Sequence, residues 1–303
     1  MNQTEPQRTL LLSLLCGLCV AVLVFWSVRG QEARNNAVSA VESAGAGLAL
    51  VDPMISAEAY VVRLTGRERP IIGRRADKPL APASLTKVMT AVVAAEKLAP
   101  ADSGVMSAFA KNVEERKSTA QEGDTFLRDD LIRMTLVMSA NDAALALAER
   151  VGQNAGFIGS VKHVAAFVAM MNAKAHILGM SATHFENPTG LDMPRHTASA
   201  NDMARLAEYV LVRHPFLWAM SREQEAKAAT TDGKRYAFVN SNDLVKEFPA
   251  LVGGKTGLTD NAKEALLLLY PVEHDRTAII VILRSDDRFG DGRKIIHWLE
   301  ENF

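Results

Sequence analysis

The sequence predicts an α+β fold: an antiparallel sheet flanked by helices plus a helical lobe, preceded by one N-terminal transmembrane helix. Three observations carry that prediction. A charge-free run lies at Leu10–Val28, strand-like apolar runs stand at both ends of the remaining chain, and helical periodicities fill its middle. The 303 residues are 48% hydrophobic and 23% charged, an ordinary globular balance that can bury a sizeable core. Lys plus Arg number 34 against 35 Asp plus Glu, for a formal charge of -1, which excludes a broadly basic nucleic-acid binder. The two cysteines, Cys16 and Cys19, both fall inside the apolar run, so neither a disulfide scaffold nor a cysteine-based zinc site is expected.

Residues 1–9 form a short tail. Residues 10–28, if helical, rise about 28 Å, close to the hydrocarbon thickness of a bilayer. Arg8 and Arg29 bracket the run, and Trp26 sits near its far end, where interfacial aromatics are common. An uncleaved anchor is expected. A cleaved signal is the alternative, with Ala37-Val38-Ser39 as its rather distant cleavage site. Both export the remaining chain. Residues 29–47 are small and polar and read as a tether. Residues 48–303 then form one domain.

Within that domain, Leu48–Asp52 and Ala59–Leu64 read as short strands separated by a proline turn. Leu85, Val88, Met89, Val92 and Val93 follow helical spacing, and Ala91, Ala94 and Ala95 make the other faces apolar, so this helix is buried on most sides. Leu127–Met138 and Asp142–Val151 are helical, with a break at Ser139. Val161–Leu178 is a long helix ending at Gly179, and Asp202–Val212 is another, stopped by Pro215. Ala265–Tyr270 and Thr277–Leu283 form a hairpin, and Lys294–Glu301 is an amphipathic closing helix. The two sets of strands are expected to share one antiparallel sheet.

Three motifs carry chemistry. In Ser84-Leu-Thr-Lys87 the serine sits at the start of the buried helix, and residues three apart share a helix face, which brings the Lys87 amine to the Ser84 hydroxyl. A serine needs a neighbouring base, and a lysine serves when burial or a cation lowers its pKa. The bland alternative is a serine N-cap with a solvated lysine. Ser139-Ala140-Asn141 lies at the break between two helices, where both side chains can face a cleft or merely cap the next helix. An internal control exists: Ser199-Ala200-Asn201 repeats the triplet ahead of Asp202 and reads as an ordinary cap. Lys255-Thr256-Gly257 lies in a stretch whose glycines at 253, 254 and 257 admit close backbone approach, so that on an edge strand it can pair with a peptide. A phosphate loop is excluded, because position 249, where that loop needs glycine, is Pro249.

Taken with their order, 55 and then 116 positions apart, these motifs resemble those of the serine penicillin-recognising enzymes, the low-molecular-mass D-alanyl-D-alanine carboxypeptidases in particular. The similarity extends through Ala83–Thr90, Val137–Asp142, Leu178–Leu191 and Gly253–Thr259. The resemblance implies a β-lactamase/transpeptidase-like fold and assigns roles. Ser84 attacks the penultimate D-Ala carbonyl of a peptidoglycan stem peptide, and Lys87 removes its proton. Ser139 passes a proton to the leaving amine while Lys255 holds the local field. Asn141 binds the substrate amide. Thr256 and Arg288 bind the terminal carboxylate, and the Ser84 and Leu258 backbone N–H groups form the oxyanion hole beside Gly257. β-Lactams are the implied covalent inhibitors, no metal or cofactor is implied, and the bacterial inner membrane is the implied location, with the catalytic domain periplasmic. Two departures stand out. Lys263 follows Ala262 where the family usually has glycine. The chain also stops at Phe303 without the small β-domain and C-terminal anchor common in the family, leaving any anchoring to residues 10–28.

Rival functions are a D,D-endopeptidase using the same residues and an inactive wall-binding protein on the same fold. A β-lactamase lacks support, since the Glu-x-x-Leu-Asn signature of the commonest class is missing. No Gly-x-Ser-x-Gly, His-Glu-x-x-His or dinucleotide fingerprint is present.

Overall fold

The computed structural model describes residues 52–67, 69–273 and 276–303. The expected membrane segment, the tether and all but the last residue of the expected strand Leu48–Asp52 lie outside the described residues. Among those described, no helix is long and apolar enough to cross a membrane.

Strand β1 (Ala59–Leu64) is paired on one side with β2 (Ile72–Arg74) and on the other with β9 (Arg276–Ser285). β9 continues to β8 (Lys263–Val272), and β8 to β7 (Gly253–Thr259), in the order β2-β1-β9-β8-β7 with every pair antiparallel. Strands from the two ends of the domain thus share one sheet, as expected. β1 is buried along its whole length, Arg63 included, because both faces of the sheet are covered. Val61, Leu267, Leu269 and Val281 pack beneath the helical lobe. Val62, Leu268, Ile280 and Ile282 pack on Ile295, Ile296 and Leu299 of the C-terminal helix.

The lobe begins with a 3₁₀ turn, Ala83–Leu85, running directly into α1 (Thr86–Lys97), whose residues from Thr86 to Ala94 are all buried. Two short elements follow, β3 (Ser103–Val105) and α2 (Ala108–Lys111), then β4 (Thr125–Leu127) paired with β3. Helices α3 (Arg128–Leu136), α4 (Asn141–Asn154) and α5 (Ser160–Ile177) lie within two residues of their expected limits, apart from the C-terminus of α4. Helix α6 (Ala200–Arg213) ends before Pro215. Pro215 itself opens a further helix, α7 (Pro215–Ser221), because its fixed φ and missing N–H suit the first helical position. The hairpin β5 (Glu225–Ala229) and β6 (Arg235–Val239), and the short α8 (Leu244–Glu247), complete the lobe side. The closing helix α9 (Arg288–Asn302) starts six residues before the expected Lys294, at a cap formed by Asp287.

Lys263, the departure noted in sequence, opens β8 with φ +52, and an irregularity in the β8–β9 ladder follows at Glu264/Leu266. The backbone therefore keeps a conformation suited to glycine although the residue is lysine. Its amine reaches Asp286 at 2.7 Å, an exposed pair that contributes little. Lys263→Gly is expected to be more stable than Lys263→Ala by about 1 kcal/mol in urea denaturation, since only glycine relieves the positive φ. Equal stability of the two variants would show that the site carries no strain.

Candidate active site

The catalytic candidates come from a 3₁₀ turn, helix α1, the break before α4 and strand β7, which meet at one cleft. The turn carrying Ser84 is held between two glycines. A Cβ on Gly190, itself at φ +88, would stand 1.9 Å from the Ala83 carbonyl oxygen, and one on Gly257 would stand 2.9 Å from the Ala83 Cβ and 3.2 Å from the Ser84 nitrogen. Ala83 has φ +47, so the residue before Ser84 is strained and over-determined by these contacts. The neighbouring segment is pinned to α1. Thr90 Oγ1 donates to the Pro188 carbonyl at 2.6 Å, and Asn187 Oδ1 accepts from the Gly190 nitrogen at 2.7 Å. His196 braces the same segment. Its Nδ1 accepts from the Glu186 N–H at 3.0 Å, which leaves Nε2–H to donate to Thr86 Oγ1 at 2.8 Å. Burial lowers its pKa to about 4, so this neutral tautomer persists.

Lys87 is fully buried one helical turn from Ser84. Its Nζ lies 2.7 Å from Ser84 Oγ, 2.6 Å from Asn141 Oδ1 and 2.6 Å from the Thr189 carbonyl oxygen. Both carbonyls are acceptors only. They take the two N–H groups of a neutral amine and leave its lone pair facing the Ser84 hydroxyl. Burial, reinforced by repulsion from the Arg116 guanidinium, pulls Lys87 from 10.5 down to about 7. The solvated-lysine reading is thereby overturned.

Ser139 and Asn141 flank the start of α4. The cap position belongs to Ala140, with no side-chain capping bond, so neither side chain is a cap. Ser139 has φ +66, a strained conformation that turns its hydroxyl to Lys255 Nζ at 2.8 Å. Ser199, by contrast, caps α6, its hydroxyl accepting from the Asp202 nitrogen at 3.1 Å. Lys255 is also fully buried and donates to the Thr256 carbonyl at 2.8 Å. Burial, then the charges of Lys87, Arg116 and Arg288, hold its pKa well below the usual lysine range. Because Ser139 Oγ accepts from Lys255, its own proton is free to point into the cleft.

Strand β7 stands at the sheet edge, as the glycine-rich stretch implied. Thr256 Oγ1 lies 2.8 Å from Ser241 Oγ. Arg288 donates to the Gly257 carbonyl at 3.2 Å and pairs with Glu264 at 3.3 Å. Ser84, Ser139, Thr256, Gly257, Leu258 and Arg288 line one cleft of about 170 Å³, with Arg116 as a further member. Asn141 does not reach it freely: its Oδ1 accepts from Lys87, and its Nδ2 donates to the Glu114 carbonyl at 3.0 Å. In the structure Asn141 positions Lys87. A larger hollow of about 410 Å³ beside Phe248 and Leu251 contains none of these residues.

The Thr189 carbonyl, Gly190 and Arg116 were not singled out by residue type. Asn187-Pro-Thr-Gly190 was visible only as part of a family-like segment, because a main-chain carbonyl leaves no side-chain signature. Arg116 had no signal at all.

A serine against a buried neutral lysine, with a second serine–lysine pair beside it, defines a lysine-activated serine acyl-transfer site on an α+β fold. The sequence profile of D-alanyl-D-alanine carboxypeptidases, peptidase family S11, matches residues 48–287, and the chain belongs to that family. It is 29% identical over 264 residues to the D-alanyl-D-alanine carboxypeptidase DacF of Bacillus subtilis, covering 86% of this chain and 62% of that protein. It thus spans under two thirds of that relative's length. It is 30% identical over 274 residues to a D-alanyl-D-alanine endopeptidase of Pseudomonas aeruginosa, covering 87% and 83% of the two chains. A mutant form of the Streptomyces K15 DD-transpeptidase shares the fold with a TM-score of 0.76 at 23% identity, over 82% of this chain and all of that one.

The two Ser-Ala-Asn triplets allow a matched test. Ser199→Ala is expected to cost about 1 kcal/mol of stability and to leave acylation by a fluorescent penicillin intact. Ser139→Ala is expected to slow acylation by about 100-fold in a folded protein. Equal slowing in both variants would contradict this assignment.

Proposed function

We propose that the chain is a serine-type D-Ala-D-Ala carboxypeptidase that removes the terminal D-Ala from peptidoglycan stem pentapeptides. The observation that carries this reading is the triple contact of Lys87, which makes its lone pair available to Ser84 and to nothing else. The substrate backbone adds to the β7 edge, and its terminal carboxylate meets Thr256 and Arg288. Neutral Lys87 takes the Ser84 proton as Oγ attacks the penultimate D-Ala carbonyl. The oxyanion is held by the Ser84 and Leu258 N–H groups. Ser139 then donates its proton to the departing D-Ala nitrogen as the C–N bond breaks, and the proton that Lys87 took is passed by way of Lys255 to Ser139, which leaves Lys87 neutral again. Water attacks the acyl-enzyme by the reverse proton path and restores Ser84. β-Lactams acylate the same hydroxyl. In this reading the unit is exported to the periplasm and tethered to the inner membrane; the charge-free run 10–28 supports this.

A D,D-endopeptidase is the second reading, favoured by one observation: the chain covers more of the Pseudomonas endopeptidase than of DacF. Both readings use the same residues and differ in the bulk accepted beyond the scissile nitrogen. Purified protein given pentapeptide monomers and cross-linked dimers is expected to release free D-Ala from the monomers, read by chromatography, and this release is expected to vanish in Ser84→Ala. Dimers consumed while pentapeptides persist would instead establish the endopeptidase. Neither product, with no penicillin labelling, would favour the inactive wall-binding protein.

A further inference from the structure

The loop between α2 and β4 brings one residue into the cleft that the mechanism above does not use. Arg116 lines it together with Ser84, Ser139 and Arg288. It is exposed, and among the described residues its guanidinium makes no ion pair, whereas Arg288 already pairs with Glu264.

The loop is built to hold Arg116 there. Glu115 and Arg116 have φ +53 and +24, both in the left-handed region that non-glycine residues avoid. Three bonds from Asn141 restrain this stretch: its nitrogen donates to the Arg116 carbonyl at 2.9 Å, and its Nδ2 to the carbonyls of Glu114 at 3.0 Å and Glu115 at 3.4 Å. Buried Asp142 fixes the loop's flanks, accepting from Lys111 Nζ at 2.6 Å and Ser118 Oγ at 2.8 Å. The residues that follow Ser139 in its motif therefore position Arg116.

The cleft has two sides. Thr256, Gly257, Leu258 and Arg288 come from the sheet and α9; Ser139 and Arg116 come from the lobe. The sheet side is already assigned to the terminal carboxylate. We infer that Arg116 is a specificity-determining residue that binds a second carboxylate of the substrate, carried by the residue preceding D-Ala-D-Ala. This inference rests on the D,D-peptidase reading. A free guanidinium on the wall of the cleft attracts and orients a carboxylate through charge-assisted, bidentate bonds. Its second effect is to raise the cost of charging Lys87, whose lowered pKa reflects burial first and Arg116 next.

The test uses the full-length protein and two acylated tripeptides ending in D-Ala-D-Ala. One has a neutral residue at the preceding position and the other an isosteric residue bearing a side-chain carboxylate. The readout is the ratio of their kcat/KM values. Wild type is expected to favour the carboxylate peptide by about tenfold, the size of one charge-assisted contact. Arg116→Gln is expected to bring the ratio near unity, Arg116→Lys to restore part of it, and Arg116→Glu to invert it. The neutral peptide reports any change through Lys87, which divides out of the ratio. A wild-type ratio near unity, or equal losses on both peptides in Arg116→Gln, would overturn this inference alone. Turnover of neither peptide by wild type would overturn the carboxypeptidase reading and the inference with it.

Discussion

Two lysine amines are buried in the centre of this domain with carbonyls and hydroxyls as their hydrogen-bond partners. An ammonium in such a place costs far more than an amine, and two near one another cost more again. The least costly state is the neutral one, at least for Lys87, and that state is the reagent that a serine nucleophile requires. Much of the site's construction is legible as the means of keeping these amines dry. α1 is apolar on nearly every face because it must exclude water from Lys87. The turn at Asn187–Gly190 supplies a main-chain carbonyl in place of a carboxylate, which would have restored the ammonium.

Strain is concentrated where the elements meet. Ala83, Ser139 and Arg116 all hold positive φ; Ser139 and Arg116 line the cleft and Ala83 precedes its nucleophilic serine. Such residues persist only where surrounding packing over-determines them. Here the five-stranded sheet and α1, buried on both sides, supply that rigidity. Gly190 and Gly257 remove the atoms that would otherwise push the Ser84 turn away. The strained positions are thus consequences of bringing backbone from the sheet and the lobe within hydrogen-bond reach.

Much of this was legible in the sequence. The sheet strands β1, β8 and β9 and helices α1 and α3–α6 followed from apolar spacing, because burial imposes it. The lysine-activated serine, the edge strand and the contrast between Ser139 and Ser199 were readable from spacing and context. Other elements were not. β5 is written in Glu, Ala and Lys, which favour helix, and it is a strand only because β6 pairs with it. β2, β3 and β4 have three residues each, too few to show a period. α9 was begun late because its first turn, Arg288–Asp291, is polar and is set by the Asp287 cap rather than by apolar spacing. Arg116 was invisible because an exposed arginine in a charged loop looks like any solvated one. The substrate role that the resemblance gives Asn141 leaves unread a second one: its side chain also ties Lys87 to the carbonyls of Glu114 and Glu115.

The central claim is that Lys87 works as a neutral base with a pKa of about 7. Protonation removes the lone pair, so acylation must rise with pH as the amine deprotonates. The direct measurement is the second-order rate of Ser84 acylation by a β-lactam, followed by intact mass from about pH 5 to about pH 10. The account predicts a limb rising with unit slope and levelling off around pH 7. A rate that is flat across the range, or that rises only near the ordinary lysine value of 10.5, would contradict it.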